Sequence, residues 1–108
     1  MKEHRLDFLN PVLRQGINST VRLGSKWNNK CDVGDFVNIH PTGMEKIVEK
    51  GIIVGKAILP FSLIPTELIA YEHDPSCTNH YGLAKAMRKA YPGEFNEQEL
   101  CTVLLFVI

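Results

Sequence analysis

The chain is 108 residues long, carries 12 basic and 12 acidic side chains for a formal net charge of zero, and is 44% apolar and 22% charged. That balance belongs to an ordinary globular chain and excludes both a highly charged disordered tail and a strongly cationic coating protein. One domain over residues 1–108 is expected, because a chain of this size buries roughly two thirds of its extended surface and can build one core without metal or disulfides.

Asp7 is placed to cap a short helix containing Phe8, Leu9, Val12 and Leu13, with Pro11 in its first turn and Gly16 closing it. Ser19-Thr20-Val21-Arg22-Leu23 then alternates polar and apolar residues with β-branched members, which predicts a strand turning Val21 and Leu23 inward and Thr20 and Arg22 outward. Asn28-Asn29-Lys30 reads as a turn. Val33-Gly34-Asp35 reads as a tight turn into a second strand that Pro41 and Gly43 end. Gly51 to Leu59, GIIVGKAIL, is apolar on both faces and predicts a buried central strand with a bend or bulge at Gly55. It is no phosphate loop, since three residues separate its glycines and Ala57 stands where a hydroxyl is needed.

A short helix is expected over residues 65–72 and a longer one over 81–91, where Leu83, Ala84, Met87, Ala90 and Tyr91 recur at helical spacing and Pro92-Gly93 stops the run. The end, residues 101–108, is apolar on both alternating faces and belongs inside a sheet or barrel. Strands without regularly interleaved long helices favour a small mixed α+β barrel with two or three flanking helices over a doubly wound sheet.

Neutrality conceals two unlike halves. Residues 8–31 contain no Asp or Glu but hold Arg14, Arg22, Lys26 and Lys30, whereas residues 57–108 hold six acidic against three basic side chains. A local basic patch can therefore meet one phosphate or a short strand while the whole molecule stays neutral. The start, MKEHRLDFLN, has no apolar signal-peptide run, and the closing LLFVI is far shorter than the roughly 18 residues of a membrane span. Three widely spaced cysteines, Cys31, Cys77 and Cys101, suit reduced thiols better than a disulfide framework. A cytoplasmic monomer with no membrane partner is the expectation.

Gly16-Ile17-Asn18-Ser19-Thr20-Val21-Arg22-Leu23-Gly24, Val33-Gly34-Asp35 and the Tyr91-Pro92-Gly93 helix end before a last apolar strand resemble, in order and spacing, the ASCH domains of the PUA-like barrel superfamily. The resemblance covers residues 8–108 and implies a small barrel with a cleft and an RNA- or nucleotide-related role. Some members of this size are amidohydrolases acting on acetylated cytidine with a Lys, a Thr and a Glu; others are reported as ribonucleases. Thr20 matches the threonine. The lysine has no counterpart: its position is Ile17 aligned on Thr20 and Arg22, or Asn18 aligned on Gly16. Glu72 and Asp74 are the carboxylates nearest the glutamate's place.

Lys26 replaces the missing lysine only if Gly24-Ser25 turns the chain back, since on a continuing strand it lies roughly 20 Å from Thr20. Otherwise it binds phosphate or is solvated. Arg22 stands about 6–7 Å from Thr20 along one face, where its fork suits a phosphate or base edge or, alternatively, an ion pair with Asp35 or Glu72. Trp27, the single tryptophan, is either a stacking platform for a base or a lid over the core. Glu72-His73-Asp74-Pro75 is either an acid/base group or a helix end with its turn. His73, Cys77 and His80 have metal-ligand spacing, but the only spare further ligands are Cys31, His40 and Cys101, so no metal or other cofactor is expected. The reading is an RNA- or modified-nucleoside-binding domain with Arg22, Lys26, Trp27 and Asp74 as binding residues. One alternative is a hydrolase using Thr20, Lys26 and Glu72; another is a protein-interaction domain.

Overall fold

The computed structural model describes residues 1–9, 11–72 and 74–108. Its first element corrects an expectation. His4, Leu6 and Phe8 are buried while Glu3 and Arg5 are exposed, and this alternation forms a strand, β1 (Glu3–Phe8), that takes in the first two residues of the helix expected over 7–16; the described residues of 9–16 form no helix. The partner responsible is β3 (Phe36–Pro41), which pairs in parallel with Leu6 opposite Ile39. Parallel partners are distant in sequence, so no local pattern announces them.

The Thr-x-Arg segment is β2 (Ile17–Leu23), followed by a five-residue helix, α1 (Lys26–Lys30), in what reads from the sequence as a turn. Strand β4 (Glu49–Pro60), helices α2 (Thr66–Ile69) and α3 (His80–Ala90), and strand β5 (Leu100–Val107) complete the chain. The sheet runs β1-β3-β4-β5-β2, antiparallel except at β1·β3, and with its helices makes an α+β fold. The expected barrel is not closed by backbone pairing. Its edge strands β1 and β2 do not neighbour each other in the sheet; the Arg22 guanidinium spans from β2 to β1 by donating from Nη2 to the Asp7 carbonyl at 3.1 Å.

β5 is buried on both faces, as its unbroken apolar run requires. Cys101 and Val103 pack with Phe61, Ile69 and Met87 on the helical side, while Leu104 and Phe106 pack with Leu6 and Phe8 on the other. β4 is central, as predicted, but not buried on both faces: Ile52, Val54 and Ile58 are exposed. The register shifts between Ile53 and Gly55, beside the glycine expected to mark a bulge. Among the described residues no helix is long and apolar enough to cross a membrane.

The Gly34-Asp35 turn is locked onto β1. Gly34 has φ +97°, a left-handed conformation open to glycine. Buried Asp35 accepts from His4 Nε2 at 2.8 Å and from the backbone N–H groups of Asp32 and Lys2. Chiefly the His4 bond, then the Asp32 N–H, holds its carboxyl well below the ordinary 3.8. A depressed folded-state pKa adds stability that is complete above the unfolded value and is lost as pH falls below it. Wild-type stability to denaturant is therefore expected to decline from about pH 5 downward. Asp35→Asn should be less stable at pH 7 and flatter on the acid side; equal acid slopes in the two proteins would remove this pair as the cause.

Candidate functional site

The site is built around the second half of β2. Thr20 and Arg22 stand opposite Leu104 and Thr102 of β5, and therefore share the face of Leu104 and Phe106. That face is enclosed and not solvent-facing as expected for Thr20, which is 2% exposed. Arg22 Nε donates to Thr20 Oγ1 at 3.3 Å, so the two residues form one unit with the bond to Asp7.

Gly24, at φ +82°, ends β2, and the chain enters α1 two residues later. The Gly24-Ser25 turn on which Lys26 depended thus exists, but it leaves Lys26 exposed at the head of α1 and outside the cleft lining. Its neighbour Trp27 is the residue brought in: half-buried, it packs against the Phe8 cluster with its ring 5.6 Å from the Arg22 guanidinium carbon. Phe8 lies 5.0 Å from the same carbon. Lys30 Nζ sits 4.6 Å from the Trp27 ring. Both aromatic contacts are within cation–π range, and they fix the plane of a guanidinium that is also hydrogen-bonded at Nε and Nη2.

Glu72 arrives from the far side of the chain because the stretch after α2 docks along β2. Ser19 N donates to the Tyr71 carbonyl at 2.6 Å, Ser19 Oγ to the Leu68 carbonyl at 2.8 Å, and Arg14 Nη2 to the Glu72 carbonyl at 2.9 Å. Glu72 is 2% exposed. Asp74 follows as the cap of a 3-10 turn, Pro75–Cys77, its Oδ1 accepting from Ser76 N and Ser76 Oγ. His73 lies outside the described residues, and with it the acid/base and metal-ligand readings of that motif. His80 donates from Nε2 to the Ile64 carbonyl at 2.8 Å, and no metal-ligand group of three His, Cys, Asp or Glu occurs among the described residues.

These pieces enclose a cleft of about 150 Å³. Thr20, Arg22, Glu72 and Asp74 supply its polar lining, and Phe8, Met87 and Tyr91 supply apolar surface. Arg22 is half-buried, and desolvation pulls its guanidinium below its usual value, opposed by Tyr91, Glu72 and Asp7. Cys77 also lines the cleft, with its thiol pushed up by burial, which keeps it protonated and a poor nucleophile at neutral pH. Of the sequence-predicted residues, Thr20, Arg22, Glu72 and Asp74 meet here, Trp27 backs the wall and Lys26 stands outside. Phe8 and Tyr91 were missed as site residues. The helix reading hid Phe8, and Tyr91 reads from sequence only as the end of an apolar helical stripe.

No protein-family model matches the sequence, and no curated protein matches it. Two solved structures are similar in fold. A hypothetical protein, PH0355, superposes with TM-score 0.69 at 14% identity over 99% of this chain and 98% of its own. The ASCH domain from Lactobacillus crispatus JV V101 superposes with TM-score 0.76 at 14% identity, over 98% of this chain and 79% of that one. With the open mixed sheet and its flanking helices already described, this likeness identifies the fold of the chain as that of an ASCH domain.

Proposed function

We propose that the chain binds RNA or a modified nucleoside, taking one base into the cleft beside the Thr-x-Arg strand. The observation that carries this reading is a half-buried arginine, held by Thr20 and the Asp7 carbonyl, in the wall of a small, largely apolar slot. A space near 150 Å³ holds about one six-membered ring, which fits a single unstacked base and not a duplex. Phe8 and Tyr91 offer aromatic surface to the ring, the Arg22 fork donates to acceptors on its edge, and Glu72 accepts from its amino or imino hydrogens.

Binding and not hydrolysis is proposed because no lysine lines the cleft among the described residues. The Thr20 hydroxyl, which accepts from Arg22 Nε, needs a group to take its proton before it can attack. Calorimetric titration with a short single-stranded RNA and with acetylated cytidine, beside a turnover assay, tests the reading. Saturable binding without product is expected, weakened about tenfold in Arg22→Gln, in line with the loss of a charged hydrogen bond. Product formation that disappears in Thr20→Ala would replace binding with hydrolysis, and no binding of either probe would sink both.

A further inference from the structure

The order of hydrogen bonding along β2 turns one pair of main-chain groups toward the cleft. Gly16 and Ile108 exchange both of their N–H···O bonds, and Gly24 N donates to the Leu100 carbonyl. In the register of β2 on β5, Asn18, Thr20 and Arg22 between them are therefore the residues that bond to β5. Ile17, Ser19, Val21 and Leu23 turn their N–H and C=O groups the other way, to the open edge of the sheet. The stretch after α2 covers that edge at Ser19, whose N–H donates to the Tyr71 carbonyl and which bridges in parallel to Glu72. Asp74 then caps the 3-10 turn, and the chain leaves the strand.

Val21 is the next edge position after that bridge, and neither its N–H nor its C=O has a hydrogen-bond partner among the described residues. It is 7% exposed, whereas Ile17, at the open start of the strand, is 40% exposed. Buried main-chain groups are paired in nearly every native structure, because each one left unpaired costs its desolvation. Thr20, Val21 and Arg22 all line the cleft. Side chains of consecutive strand residues alternate between the two faces, so three in a row meet one cavity where that cavity runs along the strand's edge. The cleft thus continues the lane beside β2 that Tyr71 and Glu72 occupy at Ser19.

We infer that Val21 is a specificity-determining residue that reads the ligand through its main chain, its N–H donating to a ring acceptor and its C=O accepting from the adjacent ring N–H. Two facing residues of an antiparallel ladder exchange both bonds in the same way, and the hydrogen-bonding edge of an unstacked base sets a donor beside an acceptor. The ring takes the place of a strand residue. This rests on the base-binding reading above and adds a selection rule to it: a ring with donor and acceptor side by side is taken, and one with its edge donor blocked is refused. The Val21 side chain has no part in the choice, because it packs into the cluster of Phe61, Ile69 and Met87.

The test follows amide hydrogen exchange of the wild-type chain by NMR, free and saturated with uridine, cytidine, acetylated cytidine or a short single-stranded RNA. Exchange at Val21 is expected to slow by about tenfold or more on binding, while Ile17 and Leu23 change little. Affinities of methylated nucleosides read the same edge. 3-Methyluridine and N4,N4-dimethylcytidine, whose edge donor is lost, should bind about tenfold more weakly than uridine and cytidine; the 5-methyl nucleosides, which carry a methyl away from that edge, should bind like their parents. Val21→Pro removes an N–H that no ladder bond uses and should fold and bind about tenfold more weakly, with Val21→Ile close to wild type. Binding that leaves Val21 exchange unaltered, a measurement that needs no variant to fold, would overturn the main-chain assignment and leave base binding standing. Edge-methylated and 5-methyl nucleosides that bind alike, or a folded Val21→Pro with wild-type affinity, also overturn it. Failure of every nucleoside and of the RNA to bind overturns the base-binding reading together with it.

Discussion

Phe106→Ala is expected to remove about 3–5 kcal/mol of folding stability, the range for truncating a fully buried aromatic side chain. Phe106 is 0% exposed on β5, packs with Leu6, Ile39, Ile53 and Leu104, and stacks on Phe8 with ring centroids 6.2 Å apart. A single domain has only about 5–15 kcal/mol in total, so the loss should lower the melting temperature by on the order of 15 °C. Strands pinned on both sides by hydrogen bonding leave little room for collapse into the cavity. The variant carries a functional consequence too, because Phe8 rests on Phe106 and forms part of the cleft beside Arg22. Ligand affinity should fall in the folded fraction as well. A melting temperature within about 3 °C of wild type would show that Phe106 is not the centre of this core.

Gly82→Ala should destabilise the chain, against what helix propensity alone predicts. Gly82 lies in the first turn of α3, where alanine is ordinarily better than glycine by about 1 kcal/mol. A Cβ on Gly82 would fall 2.0 Å from the Ser76 carbonyl oxygen, a backbone atom that cannot rotate away. Relieving the overlap requires the 3-10 turn or the start of α3 to move, at a cost of about 1–3 kcal/mol or more. Asn79 Oδ1 also accepts from Gly82 N at 2.8 Å, so the helix cap would move with it. Because the displaced turn carries Asp74 and Cys77, the same substitution should open one side of the cleft and weaken ligand binding. Chemical denaturation beside a binding titration separates the outcomes: a stabilised variant with unaltered affinity would mean that α3 and the turn do not approach this closely.

Part of the cleft lining is legible in the sequence. Thr20 and Arg22 stand two apart on a strand, so their shared face follows from the period of β structure. Glu72 and Asp74 stood out as paired carboxylates at a helix end. Their meeting with Thr20 was not readable from spacing, because it depends on Ser19 capturing the Tyr71 and Leu68 carbonyls after a separation of some fifty residues. Lys26 and Trp27 show the reverse. The turn at Gly24 was only a condition for Lys26 to reach Thr20; it exists, but adjacent residues of a short helix point in different directions. Tertiary packing brought the indole inward and left the ammonium in solvent.

By itself the amino-acid sequence determined the elements whose pattern is local: the Thr-x-Arg strand, the long helix with its Pro-Gly stop, and the twice-buried last strand. It also determined a basic stretch at residues 14–30 within a neutral chain. Only the tertiary structure decided that residues 3–8 form a strand and that Asp7 and Phe8 end it and do not begin a helix, because a parallel ladder to β3 satisfies their backbone. It likewise decided that one of those four basic residues, Arg22, lies in the cleft wall. Periodicity governs which face a side chain takes, whereas desolvation and the choice of partner depend on what distant segments bring to that face.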